Sequence, residues 1–166
     1  GTARVRVVLA GLCSTDLELV QGYKNSPRNM ILGHEFVGII DQILPLSETS
    51  GDTNGFAVGD RVCAEINWLC QDWKVRSQHD ARSALGIFGA HGVFAEFVKV
   101  PIENLHRVAS SISDRAAVFA EPLAAACQVL EEIHIRKEDR VGVLGAGKLG
   151  SLVAGVLTAS MFDVFV

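Results

Sequence analysis

Arg140-Val141-Gly142-Val143-Leu144-Gly145-Ala146-Gly147-Lys148-Leu149-Gly150 decides how the C-terminal part of the chain folds. The valine-rich run Arg140 to Leu144 predicts a buried strand and the glycines a tight turn. Lys148 to Ser160, rich in Ala, Val and Leu, predicts a helix. Asp163 to Val166 begins another strand. Strand, glycine turn, helix, strand is the opening of a doubly wound α/β domain. A Gly-x-Gly-x-x-Gly pattern alone divides about evenly between a plain turn and a dinucleotide loop. Its position between a strand and a helix favours the loop, because glycines let the backbone approach a pyrophosphate at a helix N-terminus.

Upstream of this unit the character differs. Pro122 is expected to begin a helical turn, and Leu123 to Ile133 keeps the helical period with Gln128, Glu131 and Glu132 on the polar side. Asp114 can cap a shorter helical stretch through Ala116, Ala117 and Phe119. Before Ser111 the chain is strand-rich: Arg4 to Ala10, Phe36 to Ile43, Arg61 to Ala64 after the Gly59-Asp60 turn, and Val93 to Val100 closed by Pro101. Ser47 to Gly55 is polar and glycine-rich, a loop or hairpin by composition. Many short strands with glycine turns argue for a small barrel or sandwich. The boundary falls between Ser111 and Val129, dividing the chain into domains 1–120 and 121–166.

At 166 residues the chain could bury one ordinary core or two small ones. A hydrophobic fraction of 49% and a charged fraction of 20% are those of a soluble globular protein. The net charge of -4 gives no electrostatic reason to expect nucleic acid or an anionic membrane as partner. Apolar runs are interrupted by charge or glycine, so no segment reads as membrane-spanning. The N-terminus lacks a secretory pattern; the cytoplasm is the expected compartment, with organellar import left open. Cys13, Cys63, Cys70 and Cys127 are widely spaced and form no Cys-x-x-Cys pair, which removes support for a structural zinc ribbon.

Cys13-Ser14-Thr15-Asp16 and Gly33-His34-Glu35 supply a thiolate, an imidazole and carboxylates in one short stretch. A catalytic zinc takes three protein ligands and keeps one open position. Cys13 and His34 are two candidates, and Glu35 or Glu121 is the third. Adjacent residues seldom point the same way, which would leave Glu35 to orient the site from outside. Glu121, on the apolar run Pro122-Leu123-Ala124-Ala125-Ala126, needs a partner that a metal or its water would provide. Each residue has a plainer reading alone: a buried cysteine, a loop histidine, a helix-starting glutamate. Their conjunction carries the inference.

The sequence resembles the zinc-containing medium-chain dehydrogenase/reductase family, in its polyol and threonine dehydrogenase branch. The matching residues are Gly11 to Asp16, Leu32-Gly33-His34-Glu35-Phe36-Val37-Gly38, Val58-Gly59-Asp60-Arg61-Val62, Gly92-Val93-Phe94-Ala95-Glu96-Phe97, Glu121-Pro122-Leu123-Ala124 and Gly145 to Gly150. The resemblance implies an incomplete β-rich GroES-like barrel followed by the start of an α/β Rossmann domain. It implies metal ligands among Cys13, His34, Glu35 and Glu121. Thr15 matches the hydroxyl that relays the substrate proton, with Ser14 as substitute, and Asp16 the carboxylate that orients the histidine. Gly145, Gly147, Lys148, Leu149 and Gly150 match the coenzyme loop, Lys148 being expected to stay solvated.

The implied activity is hydride transfer between a small alcohol, polyol or amino-alcohol and NAD or NADP at a single catalytic zinc. The acid that separates NAD from NADP is expected about twenty residues beyond the first glycine, at the end of the chain, so both stay open. A homo-oligomer fits a protein with a full coenzyme domain. The sequence departs from the family in several ways. It lacks the strands before Arg4, most of the coenzyme domain after Val166, and the cysteines of a structural zinc lobe, where Cys70 alone remains before Gln71 to Arg76. It also has Ser160-Met161-Phe162 where a turn glycine is usual. His79, His91 and His106 read as loop or strand-end residues, not ligands. The expectation is therefore a chain truncated at both ends. A non-catalytic remnant acting as a metal- or partner-binding domain is the alternative function.

Overall fold

The computed structural model describes residues 1–22, 29–44, 53–68 and 83–166. Cys70, residues 71–76, His79 and most of the 47–55 loop lie outside the described residues. The chain divides into two compact units, Gly1–Glu121 and Pro122–Val166.

The first unit is β-rich. Strands β1 (Thr2–Gly11), β2 (Glu35–Leu44), β3 (Arg61–Ala64), β7 (Phe97–Pro101) and β8 (Leu105–Arg107) form a five-stranded sheet in the order β7-β1-β2-β3-β8. Every pairing in it is antiparallel. β4 (Asn67–Trp68), β5 (Ser83–Leu85) and β6 (Gly89–Ala90) make a small second sheet. The alternation expected of a half-buried strand is clear in β1, where Ala3 and Val5 are sealed while Arg4 and Arg6 face solvent. Arg4 pairs with Asp41 across β1 and β2 on that outer face. The inner face packs Val5, Phe36, Ile40, Val62, Leu85 and Val100 into one core. Arg61 ties β3 to the segment that follows the sheet, donating to the carbonyls of Ala109 and Ile112 and to the Asp114 carboxylate.

Cys13 caps α1 (Ser14–Val20). Two local features differ from the sequence expectation. Val93 to Glu96 is not strand: the N–H groups of Gly92, Val93 and Phe94 bond the carbonyls of Ile31, Gly33 and Leu32, so β7 starts only at Phe97. The short helix α2 (Asp114–Ala117) is capped by Ser113, whose hydroxyl accepts from the Ala116 N–H, while Asp114 is its first residue and partners Arg61.

α3 (Ala120–Glu132) opens at the end of the first unit, with Pro122 in its first turn, where the missing N–H costs nothing. The second unit continues with β9 (Arg140–Gly142), α4 (Lys148–Ala159) and β10 (Asp163–Phe165). β9 and β10 run parallel, which makes this the strand-helix-strand unit the glycine pattern predicts. α4 ends with Met161 in the left-handed region at φ +67°, at the turn where a glycine is missing. No helix among the described residues is long and apolar enough to cross a membrane.

Candidate metal centre

The site is built where β1 ends and β2 begins. Gly11 closes β1, Cys13 follows at the N-cap of α1, and Glu35, the first residue of β2, pairs with Gly11 across the ladder. Asp16 sits at the third helical position, where a capping carboxylate can turn back on the helix start. Its Oδ2 accepts the Cys13 N–H at 2.9 Å and its Oδ1 the Gly33 N–H at 3.1 Å. One buried carboxylate thus joins the loop that carries Cys13 to the loop that carries His34.

That second loop lies directly on other backbone. Gly33 adopts φ +94°, and its carbonyl oxygen stands 2.1 Å from where a Cβ on Gly92 would be. Any side chain at Gly92 would displace the loop that presents His34.

Cys13, His34 and Glu35 each offer one ligand atom, and these atoms lie within 4.8 Å of one another. Among the described residues this is the group of His, Cys, Asp and Glu so arranged. His34 is 3% exposed and Glu35 9%, so both are held out of bulk water. His34 Nδ1 is buried without a hydrogen-bond partner; its nearest charge is Asp16 Oδ1 at 3.5 Å. Burial disfavours a charged imidazole, yet Asp16, the Cys13 side chain and Glu121 raise the His34 pKa to about 9. Burial would likewise raise Asp16, but His34 and the two backbone N–H groups outweigh it and hold the carboxyl below the ordinary value.

Glu121 stands outside the group of three but within electrostatic reach of His34, Glu35 and Asp16. Burial, with the neighbouring carboxylates, pushes its pKa up against the pull of His34. Thr15 is half-buried, with Oγ1 3.7 Å from Cys13 Sγ, whereas Ser14 is exposed. A soft thiolate, an imidazole and a carboxylate are the donor set of a catalytic zinc with an open position. The residues present therefore fit that ion. The contribution of Gly92 beneath Gly33 was missed in the sequence; only the close backbone approach reveals it.

In the second unit, Gly145 has φ +106° and Gly147 caps α4. A Cβ on Gly147 would meet nothing within 4 Å, so the turn is open on that side, while one on Gly150 would lie 1.9 Å from the Gly145 carbonyl oxygen. Lys148 and Leu149 are exposed at the start of the helix. An open glycine at a helix N-terminus, backed by a tightly packed one, suits a pyrophosphate.

Residues 1–110 match the alcohol dehydrogenase GroES-like domain. The chain is 29% identical over 160 residues to L-threonine 3-dehydrogenase of Marinomonas sp. (strain MWYL1), with 92% of this chain and 45% of that protein covered. It is 33% identical over 159 residues to sorbitol dehydrogenase of Halalkalibacterium halodurans, covering 92% of this chain and 44% of the relative. Among solved structures, the short chain alcohol dehydrogenase of Escherichia coli CFT073, complexed with NADH, superposes with a TM-score of 0.83 at 30% identity. That alignment covers 99% of this chain and 47% of the other. The chain spans about half the length of the curated relatives it matches.

Proposed function

The chain belongs to the alcohol dehydrogenase family through its GroES-like domain, and from that premise we propose that it is part of a zinc-dependent oxidoreductase passing hydride between an alcohol or polyol and NAD or NADP. The observation that carries the reading is the convergence of the Cys13, His34 and Glu35 donor atoms within 4.8 Å. The first unit, Gly1–Glu121, is read as the metal-binding catalytic domain, and Pro122–Val166 as the start of the coenzyme domain. The threonine and sorbitol dehydrogenases among the relatives support a small polyol or amino-alcohol as substrate class.

When bound, zinc supplies Lewis-acid polarisation of the substrate oxygen and the nicotinamide supplies the hydride acceptor. The chain's own residues do the rest. Cys13, His34 and Glu35 would hold the ion, and Asp16, 3.5 Å from His34 Nδ1, would orient the imidazole and leave Nε2 for the metal. Glu121 faces the same group from α3 and is the alternative third ligand. Thr15 Oγ1, beside the thiol, receives the substrate hydroxyl proton and passes it toward solvent; Ser14 is the exposed substitute. Gly145, Gly147, Leu149 and Gly150 would shape the loop that takes the coenzyme pyrophosphate at the start of α4, with Lys148 solvated beside it.

The test is zinc content per chain by elemental mass spectrometry, with Cys13→Ala and His34→Ala alongside, followed by an alcohol panel with NAD and NADP. About one zinc per chain, lost in both variants, is expected. Zinc content unchanged in both variants would remove the ligand assignment. Zinc binding without turnover on any alcohol would leave the chain a metal-binding domain and not an enzyme by itself.

A further inference from the structure

His34 ends its loop and Glu35 opens β2, and the donor groups of these adjacent residues reach the same point beside Cys13. The space that permits this lies on the neighbouring strand. Gly11 is the ladder partner of Glu35, and a Cβ built on it would stand 2.1 Å from Glu35 Oε2, 2.9 Å from its Cβ and 3.2 Å from its Cδ. All three of the nearest atoms belong to Glu35, so its folded-back side chain occupies the volume a residue at position 11 would fill. Gly11 is not among the residues with positive φ, so the backbone there would accept alanine. Space is the reason for glycine at this position, not dihedral freedom.

We propose that Gly11 is a positioning residue of the metal centre: the notch left by its missing side chain is where the Glu35 carboxylate turns back to join Cys13 and His34. This rests on the metal-binding reading of the site. An added methyl collides hardest with the carboxylate, which a change of rotamer moves away, and also comes within 2.9 Å of the Glu35 Cβ, which a small shift between β1 and β2 relieves. The donor set loses its third member at a modest cost to the ladder.

The experiment measures zinc affinity of the whole chain by competition with a chelating dye, and the absorption spectrum of the cobalt-substituted chain. It compares the unaltered protein, Gly11→Ala, Glu35→Ala and the double variant. Gly11→Ala is expected to weaken zinc by about ten- to a hundredfold and to change the cobalt spectrum as Glu35→Ala does. In the Glu35→Ala background the carboxylate is gone and only the contact with the Cβ at position 35 remains, so adding Gly11→Ala is expected to leave the cobalt spectrum as Glu35→Ala has it and to weaken zinc much less than it does alone. Equal weakening in both backgrounds, or an unaltered cobalt spectrum in Gly11→Ala, overturns the positioning role. If Gly11→Ala fails to fold while the double variant folds, the Glu35 collision is upheld as the constraint; if both fail, Gly11 is a plain structural glycine. An unaltered chain that takes up no zinc overturns the metal centre itself and the role of Gly11 with it. Zinc uptake that Gly11→Ala leaves intact overturns only the latter.

Discussion

Nδ1 of His34 stands 3.5 Å from Oδ1 of Asp16, and the two side chains are 3% and 2% exposed. The same carboxylate receives the backbone N–H groups of Cys13 and Gly33. Asp16 is thus the joint between the loops that carry Cys13 and His34 as well as the charge beside the imidazole. Asp16→Asn would turn an amide toward one of those N–H groups and leave it unpaired. The expected loss is about 2 kcal/mol in urea denaturation of the zinc-free chain. Zinc affinity should fall with it, and a variant that keeps both would make Asp16 a bystander.

The charge on His34 sets a pH window. Its pKa rises from 6.5 in the unfolded chain to about 9 in the fold, so the folded state holds the proton more tightly. The resulting stabilisation of the zinc-free chain is complete below the unfolded value and is lost as pH rises through the folded one. Zinc takes the neutral imidazole, so its affinity should climb over the same interval. Asp16 acts at the other end: its depressed carboxyl contributes above 3.8 and that contribution disappears as pH falls through the folded value. Urea midpoints of the zinc-free chain across both ranges, with His34→Gln as comparison, measure this. A midpoint that does not fall on the alkaline side would remove the raised histidine.

A methyl on Gly92 would lie 2.1 Å from the Gly33 carbonyl oxygen, 2.5 Å from that of Leu32 and 2.6 Å from the Gly86 Cα. These are backbone atoms, which have no rotamer by which to move away. Gly92→Ala should therefore cost about 3 kcal/mol and lower zinc affinity together, whereas in Gly11→Ala the nearest contact is a carboxylate that can rotate away and the cost to the fold is smaller. Denaturation and zinc competition on the two variants separate the cases. Equal stability of Gly92→Ala and the unaltered chain would contradict the close approach.

Met161 holds a left-handed backbone at the end of α4, where its N–H bonds the Thr158 carbonyl and the Phe162 N–H bonds that of Leu157. Its side chain is 89% exposed and packs on little. Met161→Gly should strengthen this turn by about 1 kcal/mol, the steric relief exceeding the added freedom of the unfolded chain. Slower amide exchange in the last turn of α4 is the readout. Faster exchange would place the value of Met161 in contacts of its side chain.

Part of this fold is legible in the sequence alone. The alternation of Val5 with Arg4 and Arg6 marks β1, because burial on one face imposes a period of two. The Gly145 to Gly150 pattern between a valine-rich run and an apolar helix marks the parallel unit, because only glycine permits that turn. Val93 to Glu96 has the composition of a strand, but the N–H groups of Val93 and Phe94 are taken by the carbonyls of Gly33 and Leu32 from another part of the chain. Ser113 and Asp114 are both good caps; Arg61, far off in sequence, engages Asp114 and leaves the cap to Ser113.

The sequence by itself determined the donor chemistry, a thiol, an imidazole and two carboxylates, and the order of a β-rich part before an α/β part. Those properties are local: a residue's ligand atom and the periodicity around it are written in a few neighbouring positions. Only the tertiary structure decided which carboxylate joins Cys13 and His34. Glu35 opens β2 directly after the His34 loop, and across the ladder the missing side chain of Gly11 gives its carboxylate room to fold back beside Cys13. That choice depends on strand register between residues far apart in the chain, and register is set by burial of the whole sheet, not by any motif.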